Sequence, residues 1–391
     1  MADIYVAEDG GPGGVGSEAD PYDLQSALDN VVAGNTIWVK WGDKDEATKT
    51  IYTAASTGWG NGGAGLDVDG TFGVISTNSP IIIEAYAVTT GDMRPGETYD
   101  GSYTTFDFEN TDDDFVTVAA GRHHLVWRYL DIDGIKGGRY AFKAMAAGIN
   151  PLAGINPLGW VWDTCKMTLA SGVDYIYAIR GKFADSVVEN CIITGARVRF
   201  NDSDTGGNYI SNSLIDMIGI DQTVFFPAKG DSIYNTIIID GARAIQPSEG
   251  GVSVVNCTCY NQTDACISMN NRVATAYVQN NILMPAVGAT DYAIEIHAGN
   301  VGAVVYCDNN CVWAVDGELT VANGFYDTQK SAAIPVGNNN LSVDPMFADA
   351  ANNDFRLLPS SPLWNKGKPT LTGGYTTPGS WNRINLPLRE E

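Results

Sequence analysis

A few charged side chains of this sequence are of types that could do chemistry. An arginine can neutralise a carboxylate, a histidine can act as a base, and two carboxylates can act together as general acid and general base. The candidate catalytic residues of these kinds are Arg199, Asp221, Glu295 and His297.

Further polar residues accompany these four on the same strand-like pieces of the chain. They are Arg197, Gln246, Glu249 and Asn270. If the pieces stack, the whole row lies on one face over several coils, as an elongated glycan cleft requires. A solvated sheet face produces the same pattern, so both interpretations stay open at this point.

Two acidic stretches offer the hard oxygen ligands that Ca²⁺ prefers. In Asp202-Ser203-Asp204-Thr205-Gly206 the candidate metal ligands are Asp202 and Asp204, and the second stretch is Asp131-Ile132-Asp133-Gly134. Neither has the full loop or the terminal glutamate of an EF-hand, and ordinary Asx turns are the simpler explanation. The sequence requires no cofactor, and Ca²⁺ is a candidate ligand only.

The seven cysteines favour reduced, buried thiols. Their number is odd, and Cys165, Cys191 and Cys266 lie in apolar strand patterns rather than at the spacings of a disulfide framework. Cys257-Thr258-Cys259 and the pair formed by Cys307 and Cys311 lack the companion residues that would complete a tetrahedral metal site.

An internal repeat indicates the elements that position these residues. Asparagine recurs between two apolar pieces at steps of about 21 to 29 residues, the range of one solenoid coil, and Asp163 occupies the same place one coil earlier. Stacking places like side chains above one another, so an asparagine at a sharp bend can bond its counterparts and tolerate left-handed backbone. The ladder residues are Asn190, Asn212, Asn235, Asn256, Asn280 and Asn309.

A second strand-like piece lies between successive asparagines, and its alternation places one face inward and one outward. These pieces are residues 196–200, 217–220, 241–245, 265–269 and 292–296. Parallel stacking of both kinds of piece predicts an all-β fold, a right-handed parallel β-helix solenoid coiled around one apolar core.

The N-terminal residues predict a cap for this solenoid. Residues 21–32 have the pattern of a short amphipathic helix that ends at Gly34, and a strand follows over residues 35–40. Such a helix would cover the otherwise unpaired first coil. We therefore expect an N-terminal cap over residues 1–45, a β-helix body over 46–345, and a last coil with a C-terminal tail over 346–391.

Segments at both ends of the chain resemble a known superfamily. At the start these are Tyr5-Val6-Ala7 and residues 21–28 and 33–39, and near the end they are residues 344–347, 353–357 and 360–363. Together with the ladder they look like the pectate-lyase-like right-handed β-helix superfamily, over nearly the whole chain. The resemblance implies the fold but not the activity, since the superfamily includes lyases, hydrolases, epimerases, phage tailspikes and non-enzymatic adhesins. The signatures of its polygalacturonase-like hydrolases, one pectate lyase family and alginate epimerases are missing, so no residue role carries over.

The net charge excludes some partners. With 46 acidic and 23 basic residues the chain carries −23, which repels phosphate backbones and anionic lipid surfaces, so we expect no nucleic acid and no membrane as partner. The first residues show no basic region followed by an apolar stretch, and no 18-residue apolar run occurs, so we expect no signal peptide and no membrane span.

Three functional hypotheses follow. The first is a virion-associated structural protein, such as a phage decoration, fibre or tailspike-like protein, made in the host cytoplasm, with a glycan-binding face and with other virion subunits or its own copies as partners in a homo-oligomer. The second is a polysaccharide lyase or glycoside hydrolase acting on a surface or acidic polysaccharide and secreted by a non-Sec route. The third is a glycan-binding adhesin without catalysis.

Overall fold

A computed structural model gives the three-dimensional structure of the chain. It describes residues 3–7, 10–41, 51–52, 66–68, 80–87, 104–107, 115–118, 124–135, 140–144, 159–169, 177–181, 183–200, 206–218, 220–227, 229–247, 250–269, 274–287, 291–296, 304–327, 332–333, 337, 339–364 and 366–367. The chain divides into two compact units, Met1–Asn201 and Asp202–Leu386. Each unit is described by itself.

The first unit is built almost entirely from short strands. In chain order its elements are β1 (Asp3–Val6), α1 (Leu24–Asn30), β2 (Thr36–Trp41), β3 (Ile51–Tyr52), β4 (Leu66–Val68), β5 (Ile81–Ala87), β6 (Thr104–Asp107), β7 (Val116–Val118), β8 (Leu125–Arg128), β9 (Leu130–Ile135), β10 (Tyr140–Ala144), β11 (Val161–Asp163), β12 (Lys166–Leu169), β13 (Tyr177–Gly181), β14 (Val187–Glu189), β15 (Ile192–Thr194) and β16 (Arg197–Phe200).

Successive strands of the first unit enter three sheets in turn. The first sheet has the order β1-β2-β5-β8-β11-β14, the second β3-β6-β9-β12-β15, and the third β4-β7-β10-β13-β16. The pairings are parallel, for example Trp162 with Trp127 in the first sheet and Met167 with Ile132 in the second. This is the right-handed parallel β-helix that the repeat predicts.

Large aromatic rings fill the interior of the first unit. Trp127, Trp162, Phe142 and Phe183 are fully buried. The ring centres of Trp127 and Phe142 lie 5.2 Å apart, and so do those of Trp162 and Phe183, both in edge-to-face contact. These contacts within single coils add to the burial of apolar area, and the rings of Phe142 and Trp162, on successive coils with centres 5.4 Å apart, join one coil to the next.

The predicted N-terminal cap is present as helix α1. Asp23 caps it, since its carboxylate oxygen accepts a hydrogen bond of 2.7 Å from the backbone N–H of Ser26. The helix buries Leu24, Ala27 and Leu28 and is shorter than the periodicity predicts, because Val31 already has extended backbone. No helix among the described residues is long and apolar enough to cross a membrane.

The second unit repeats the same plan. Its elements are β17 (Tyr209–Ser211), β18 (Leu214–Asp216), β19 (Thr223–Phe226), β20 (Ser232–Tyr234), β21 (Ile237–Ile239), β22 (Arg243–Ile245), β23 (Gly250–Val255), β24 (Thr258–Gln262), β25 (Ala265–Met269), β26 (Ala274–Gln279), β27 (Ile282–Pro285), β28 (Tyr292–Ile296), β29 (Val304–Asp308), β30 (Cys311–Val312), α2 (Val321–Gly324), β31 (Phe325–Asp327), β32 (Ala332–Ala333), β33 (Phe347–Asp349), a 3₁₀ turn (Ala350–Asn352) and β34 (Asp354–Leu357).

Three sheets again form in turn. Their orders are β17-β20-β23-β26-β29, then β18-β21-β24-β27-β30, then β19-β22-β25-β28-β31-β32, and within the described residues of these three sheets only β31 and β32 pair antiparallel. Aliphatic side chains stack inside, for instance Ile210, Ile233, Val254 and Val278, which are in register and fully buried. The interior of this unit is therefore aliphatic where that of the first is aromatic.

The C-terminal residues cover the outside of the second sheet of this unit. Leu341 pairs in parallel with Cys311, and the chain then forms the antiparallel pair of β33 and β34. Phe355 packs against the outward side chains of Ile237 and Ile239, and the ring of Tyr260 lies 5.2 Å from that of Phe355. Residues 347–357 thus form a hairpin laid on a sheet rather than a further coil. The expected boundaries at residues 45 and 345 remain predictions, and residues 368–391 of the expected tail lie outside the described residues.

The asparagine ladder lies at the bend between the first and second sheets. Its six members have left-handed backbone, with φ of 55° at Asn190, 49° at Asn212, 47° at Asn235, 57° at Asn256, 58° at Asn280 and 57° at Asn309. The expectation for Asp163 is wrong by one residue. Asp163 pairs in register with Glu189, and Thr164 takes the left-handed place with φ 52°. Asp163 instead accepts a hydrogen bond of 3.0 Å from the side-chain amide of Asn190.

A second ladder lies one residue further along and points inward. The amide oxygen of Asn310 accepts from the backbone N–H and the side-chain amide of Asn281, at 3.0 and 2.9 Å. The amide nitrogen of Asn310 donates to Asn340 at 3.1 Å and to the carbonyl of Val278 at 2.9 Å. Asn281 and Asn310 are fully buried. This chain of satisfied amides joins successive coils from within.

The seven cysteines are all buried and none forms a disulfide. Burial raises the pKa of each of Cys257, Cys307 and Cys311 to about 12. A protonated thiol in an apolar interior acts as a small hydrophobic side chain. The sequence-based expectation of reduced, buried cysteines agrees with their positions.

Candidate functional site

The third sheet of the first unit carries two outward rows of side chains. Tyr140 pairs with Tyr177, and Tyr177 with Arg197, which makes the first row. Three residues further along, Lys143 pairs with Arg180, and Arg180 with Arg199. We call these six residues the basic face. They are Tyr140, Lys143, Tyr177, Arg180, Arg197 and Arg199.

Inward side chains anchor the basic face. Between the two rows, Phe142, Ile179 and Val198 form an inward row that is fully buried. The register shifts between Tyr177 and Ile179 where β13 meets β16. Because the core fixes the inward row, the outward groups stand at the spacing of parallel strands, about 4.8 Å from coil to coil.

Cations and aromatic rings interlock on the basic face. The rings of Tyr140 and Tyr177 stack with centres 5.8 Å apart. The guanidinium carbon of Arg180 lies 5.3 Å from the ring centre of Tyr140 and 4.9 Å from that of Tyr177. Arg180 Nη1 also donates a hydrogen bond of 2.5 Å to the hydroxyl oxygen of Tyr140. Arg180 therefore holds both rings in place.

The remaining two cations in contact with the rings approach from either side. Lys143 Nζ lies 4.9 Å from the ring centre of Tyr140, and the guanidinium carbon of Arg197 lies 4.9 Å from that of Tyr177. Arg197 and Tyr177 are buried, whereas Tyr140, Lys143, Arg180 and Arg199 are half-buried. The half-buried groups can reach a ligand while the buried pair supports them from below.

The electrostatics of the basic face oppose those of the whole chain. It gathers four of the 23 basic residues on three neighbouring strands of a protein with net charge −23. Guanidinium groups bind carboxylates through two parallel hydrogen bonds. The arrangement is therefore suited to an extended polyanion whose carboxylates repeat along the coil stack.

The structure describes three of the four sequence-predicted catalytic residues, namely Arg199, Asp221 and Glu295. Arg199 and its neighbour Arg197 both belong to the basic face. Asp221 is exposed before β19 and accepts a 2.6 Å hydrogen bond from the hydroxyl of Thr263. Glu295 is 5% exposed in β28, where its carboxylate accepts a 3.2 Å bond from the hydroxyl of Ser268.

The register keeps Asp221 and Glu295 apart. Thr223, two residues after Asp221, is aligned through β22 and β25 with Tyr292, three residues before Glu295. Their backbones are therefore three strand spacings apart, about 14 Å along the coil stack, although the side chain of Asp221 reaches along the stack to Thr263. His297, Glu249 and Asn270 lie outside the described residues. A catalytic role for these groups remains a prediction.

On the third sheet of the second unit, a glutamate stands where the basic face has a lysine or an arginine. Tyr292-Ala293-Ile294-Glu295 matches Tyr140-Ala141-Phe142-Lys143 and Tyr177-Ala178-Ile179-Arg180, with a carboxylate where the others have a cation. The rings of Tyr292 and Tyr326 stack at 5.1 Å. Burial raises the pKa of Tyr292, and Tyr326, Glu295 and Asp264 raise it further. Arg243 forms an ion pair with Asp264. This face is unsuited to polyanions.

An ion-paired column lies on the first sheet of the first unit. Glu84, Arg128 and Asp163 are in register on adjacent strands. Arg128 nitrogens lie 3.7 Å from a carboxylate oxygen of Glu84 and 3.3 Å from one of Asp163. Burial raises the pKa of Glu84, an effect that the charge of Arg128 opposes. Arg128 thus offsets part of the negative charge of two carboxylates, and these charges form one ion-paired group.

The candidate cation ligands gain no support from the described residues. Asp131 and Asp133 lie within strand β9, so the interpretation of this stretch as an Asx turn is wrong. Asp202 and Asp204 lie outside the described residues. In the part of the chain that the structure describes, no group of three or more His, Cys, Asp or Glu side chains could hold a metal ion. Ca²⁺ binding remains a prediction.

Sequence reasoning missed four members of the basic face. Lys143, Arg180, Tyr140 and Tyr177 lie before or between the segments in which the asparagine repeat is regular. The missed signal is the tetrapeptide Tyr-Ala-apolar-charged, which recurs at 140, 177 and 292. Reading the last position of that tetrapeptide as outward would have placed Lys143 and Arg180 in the row that contains Arg199.

Comparisons with known proteins bear on the fold. No protein-family model matches the sequence, and no curated protein matches it. Among solved structures the chain is similar to a rhamnogalacturonan lyase, with TM-score 0.59 and 13% identity over 96% of this chain and 97% of that one. It is also similar to a pectate lyase, with TM-score 0.59 and 14% identity over 96% of this chain and 94% of that one. Such likeness shows the fold, a parallel β-helix.

Proposed function

We propose that the protein binds an acidic polysaccharide on the basic face of its first unit and cleaves it by β-elimination. The observation that carries the proposal is the set of interlocked cations and tyrosine rings on three neighbouring strands. Lys143, Arg180 and Arg199 supply one positive charge per strand, in register. A uronan lying along the coil stack would present its carboxylates to this row.

The chemistry follows from what β-elimination requires. The cations neutralise the uronate carboxylate and so stabilise the negative charge that develops when the α-proton leaves. Tyr140 is the proposed base, with its hydroxyl oxygen held in place by a 2.5 Å hydrogen bond from the guanidinium of Arg180. The α C–H bond breaks, its electron pair forms a C=C bond, and the glycosidic C–O bond breaks. The oxygen of Tyr140 takes up the α-proton, and the hydroxyl proton that Tyr140 carried goes to the leaving oxygen, so that Tyr140 ends the step as it began.

Two further observations support elimination over hydrolysis. The carboxylates predicted for a hydrolase, Asp221 and Glu295, are three coils apart in backbone register and not on neighbouring strands. The two structures with the same fold are named as lyases. Both observations favour a search for unsaturated products.

The experiment is an incubation of the protein with polygalacturonate, alginate and neutral glycans. Binding is followed by affinity electrophoresis, and cleavage by the ultraviolet absorbance of the unsaturated ends. The proposal expects binding of a polyuronate and growth of that absorbance. Reducing ends without absorbance would favour hydrolysis, binding without either product would favour an adhesin, and absence of polyuronate binding would contradict the proposal.

The virion hypothesis stays a prediction. Nothing in the described residues or in the comparisons points to a virion or phage role, and the expected homo-oligomer, virion partners and non-Sec route rest on the sequence alone. Electron microscopy of the native source tests this hypothesis directly. Recovery of the protein only as a free monomer would count against it.

A further inference from the structure

A column of tyrosine and serine lies on the outer face of the first sheet of the second unit. In register from strand to strand, its members are Tyr209, Ser232, Ser253, Tyr277 and Tyr306. We call it the tyrosine–serine column. Tyr277 and Tyr306 are 47% and 51% exposed, and Tyr209 is 36% exposed. Large aromatic side chains this exposed, aligned on adjacent strands, form a distinct surface feature.

At one end of the column two tyrosine rings stack, and the ring nearer the serines keeps its serine-facing side outside the stack. Tyr277 and Tyr306 lie almost parallel, at 10°, with ring centres 5.1 Å apart. This separation matches the spacing between parallel strands, about 4.8 Å, so the rings stack along the coil axis. One face of Tyr277 is thus covered by Tyr306. Its other face is turned along the axis toward Ser253.

Small residues leave space beside that face. Ser253 and Ser232 stand between Tyr277 and Tyr209, and three strand spacings make this gap about 14 Å long. The residues two positions before the serines are Gly230 and Gly251. A Cβ at Gly251 would meet only the carbonyl oxygen of Thr275, at 4.0 Å, and one at Gly230 only the backbone nitrogen of Gly207, at 3.8 Å. The gap is therefore a shallow trough with an aromatic end wall.

The chemistry of the trough selects its ligand. The five residues of the column carry hydroxyl groups and no charge, and the flanking Gly230, Gly251 and Thr275 are also uncharged. A pyranose ring offers C–H groups with partial positive charge, which pack against the negative face of an aromatic ring, and hydroxyls that bond to serine and tyrosine hydroxyls. The five side chains of the column offer no cation to receive the carboxylate of a uronate, in a chain of net charge −23.

We infer that the tyrosine–serine column is a second saccharide-binding site, which takes a neutral sugar chain in the trough between Tyr277 and Tyr209. This site is separate in residues and in charge from the basic face, and it does not depend on the proposed elimination. A protein with both sites would hold a neutral glycan in one unit and an acidic one in the other.

The test compares variants by affinity electrophoresis in gels that contain xylan, galactan, mannan or a β-glucan. The wild type is expected to be retarded by at least one of them. The Tyr277→Ala/Tyr306→Ala variant should bind that glycan about tenfold or more weakly, since it loses both stacked rings. Ser253→Phe fills the trough with both rings in place and should abolish binding as well. Circular dichroism checks that each variant is folded.

A matched control separates this site from the basic face. Lys143→Ala/Arg180→Ala should keep wild-type affinity for the neutral glycan, so failure of either proposal is visible without the other. Three results would overturn the inference: no retardation by any neutral glycan, unchanged binding in the Tyr277→Ala/Tyr306→Ala variant, or sedimentation showing that this variant instead dissociates an oligomer. The last result would identify the rings as a contact between copies.

Discussion

Arg180 donates a 2.5 Å hydrogen bond to the hydroxyl of Tyr140 from the neighbouring strand of the same sheet, while its guanidinium group contacts the ring of that tyrosine. One cation thus fixes both the ring and the hydroxyl of Tyr140. The contact requires the register of β10 with β13, which the buried pair Phe142 and Ile179 maintains. The packing of the core therefore determines the geometry of the proposed site.

Replacing Tyr140 by phenylalanine tests its role as the base. Tyr140→Phe removes the hydroxyl and keeps the ring over which Lys143 and Arg180 lie. We expect cleavage of the polyuronate to fall by about 10²- to 10⁴-fold, the usual contribution of a positioned base, with the dissociation constant changed less than threefold or so. The rate of absorbance increase and affinity electrophoresis measure the two quantities.

Tyr177→Phe is the matched control for this prediction. Tyr177 is 2% exposed and stacks on Tyr140, so its hydroxyl cannot serve as the base in the same way. This variant should retain most of the activity. If Tyr140→Phe cleaves as fast as the wild type, Tyr140 is not the base.

Much of the fold can be predicted from the asparagine repeat. Asparagine is the residue other than glycine that most readily adopts left-handed backbone, so its recurrence marks one bend per coil. The prediction slipped by one residue at Asp163 because Thr164, a β-branched residue, occupies the left-handed position that sequence preference assigns to its neighbour. Packing with Glu189 in register overrides local preference there.

The basic face could not be predicted in the same way. Tyr140 and Tyr177 are 37 residues apart, but Tyr177 and Arg197 only 20, so coils of unequal length hide their alignment. Sequence also gave no means of choosing between adjacent asparagines. The pair Asn280-Asn281 supplies the bend with its first member and the buried ladder with its second.

Truncating an asparagine side chain of the buried ladder should cause a large loss of stability. Asn310→Ala leaves the backbone N–H and the amide of Asn281 without the acceptor that they share, in the interior of the second unit. We expect a destabilisation of about 2–4 kcal/mol from the unsatisfied donors and the cavity. Thermal unfolding followed by circular dichroism measures it. Asn323 is at an exposed position of α2, so the free energy of unfolding of Asn323→Ala should stay within about 0.5 kcal/mol of that of the wild type. Equal effects of the two changes would refute the role of the ladder.

The left-handed backbone at Thr164 offers a position where a substitution should stabilise the protein. Thr164 has φ 52°, a conformation that costs a β-branched residue about 1–2 kcal/mol, whereas asparagine tolerates it. Thr164→Asn should therefore raise the free energy of unfolding by about 1 kcal/mol, and its amide could still donate to Asp163. The reverse change, Asn190→Thr, should lower it by a similar amount and also remove the bond to Asp163. A lower unfolding temperature for Thr164→Asn would contradict this account of the bend.

The cysteine thiols should not react with an alkylating reagent in the native protein. Alkylation needs the thiolate, and burial raises the pKa of Cys257, Cys307 and Cys311 to about 12, so these groups stay protonated at pH 8 as well as sheltered. We expect iodoacetamide to label none of the seven cysteines in the native state at pH 8 and all seven in denaturant, as counted by mass spectrometry of the intact chain. Rapid labelling of any of these three without denaturant would show that its surroundings are open to solvent.

The most direct test of acidic-polysaccharide binding is the affinity of Arg180→Glu for the polyuronate, compared with that of Lys166→Glu. Both variants change the net charge by the same amount in the same unit, but Lys166 lies on the second sheet, away from the basic face. We predict that Arg180→Glu weakens binding by at least about tenfold, the loss expected for one charged hydrogen bond, and that Lys166→Glu leaves it nearly unchanged. Equal affinity of all three proteins, or equal weakening in both variants, would contradict the assignment of the basic face.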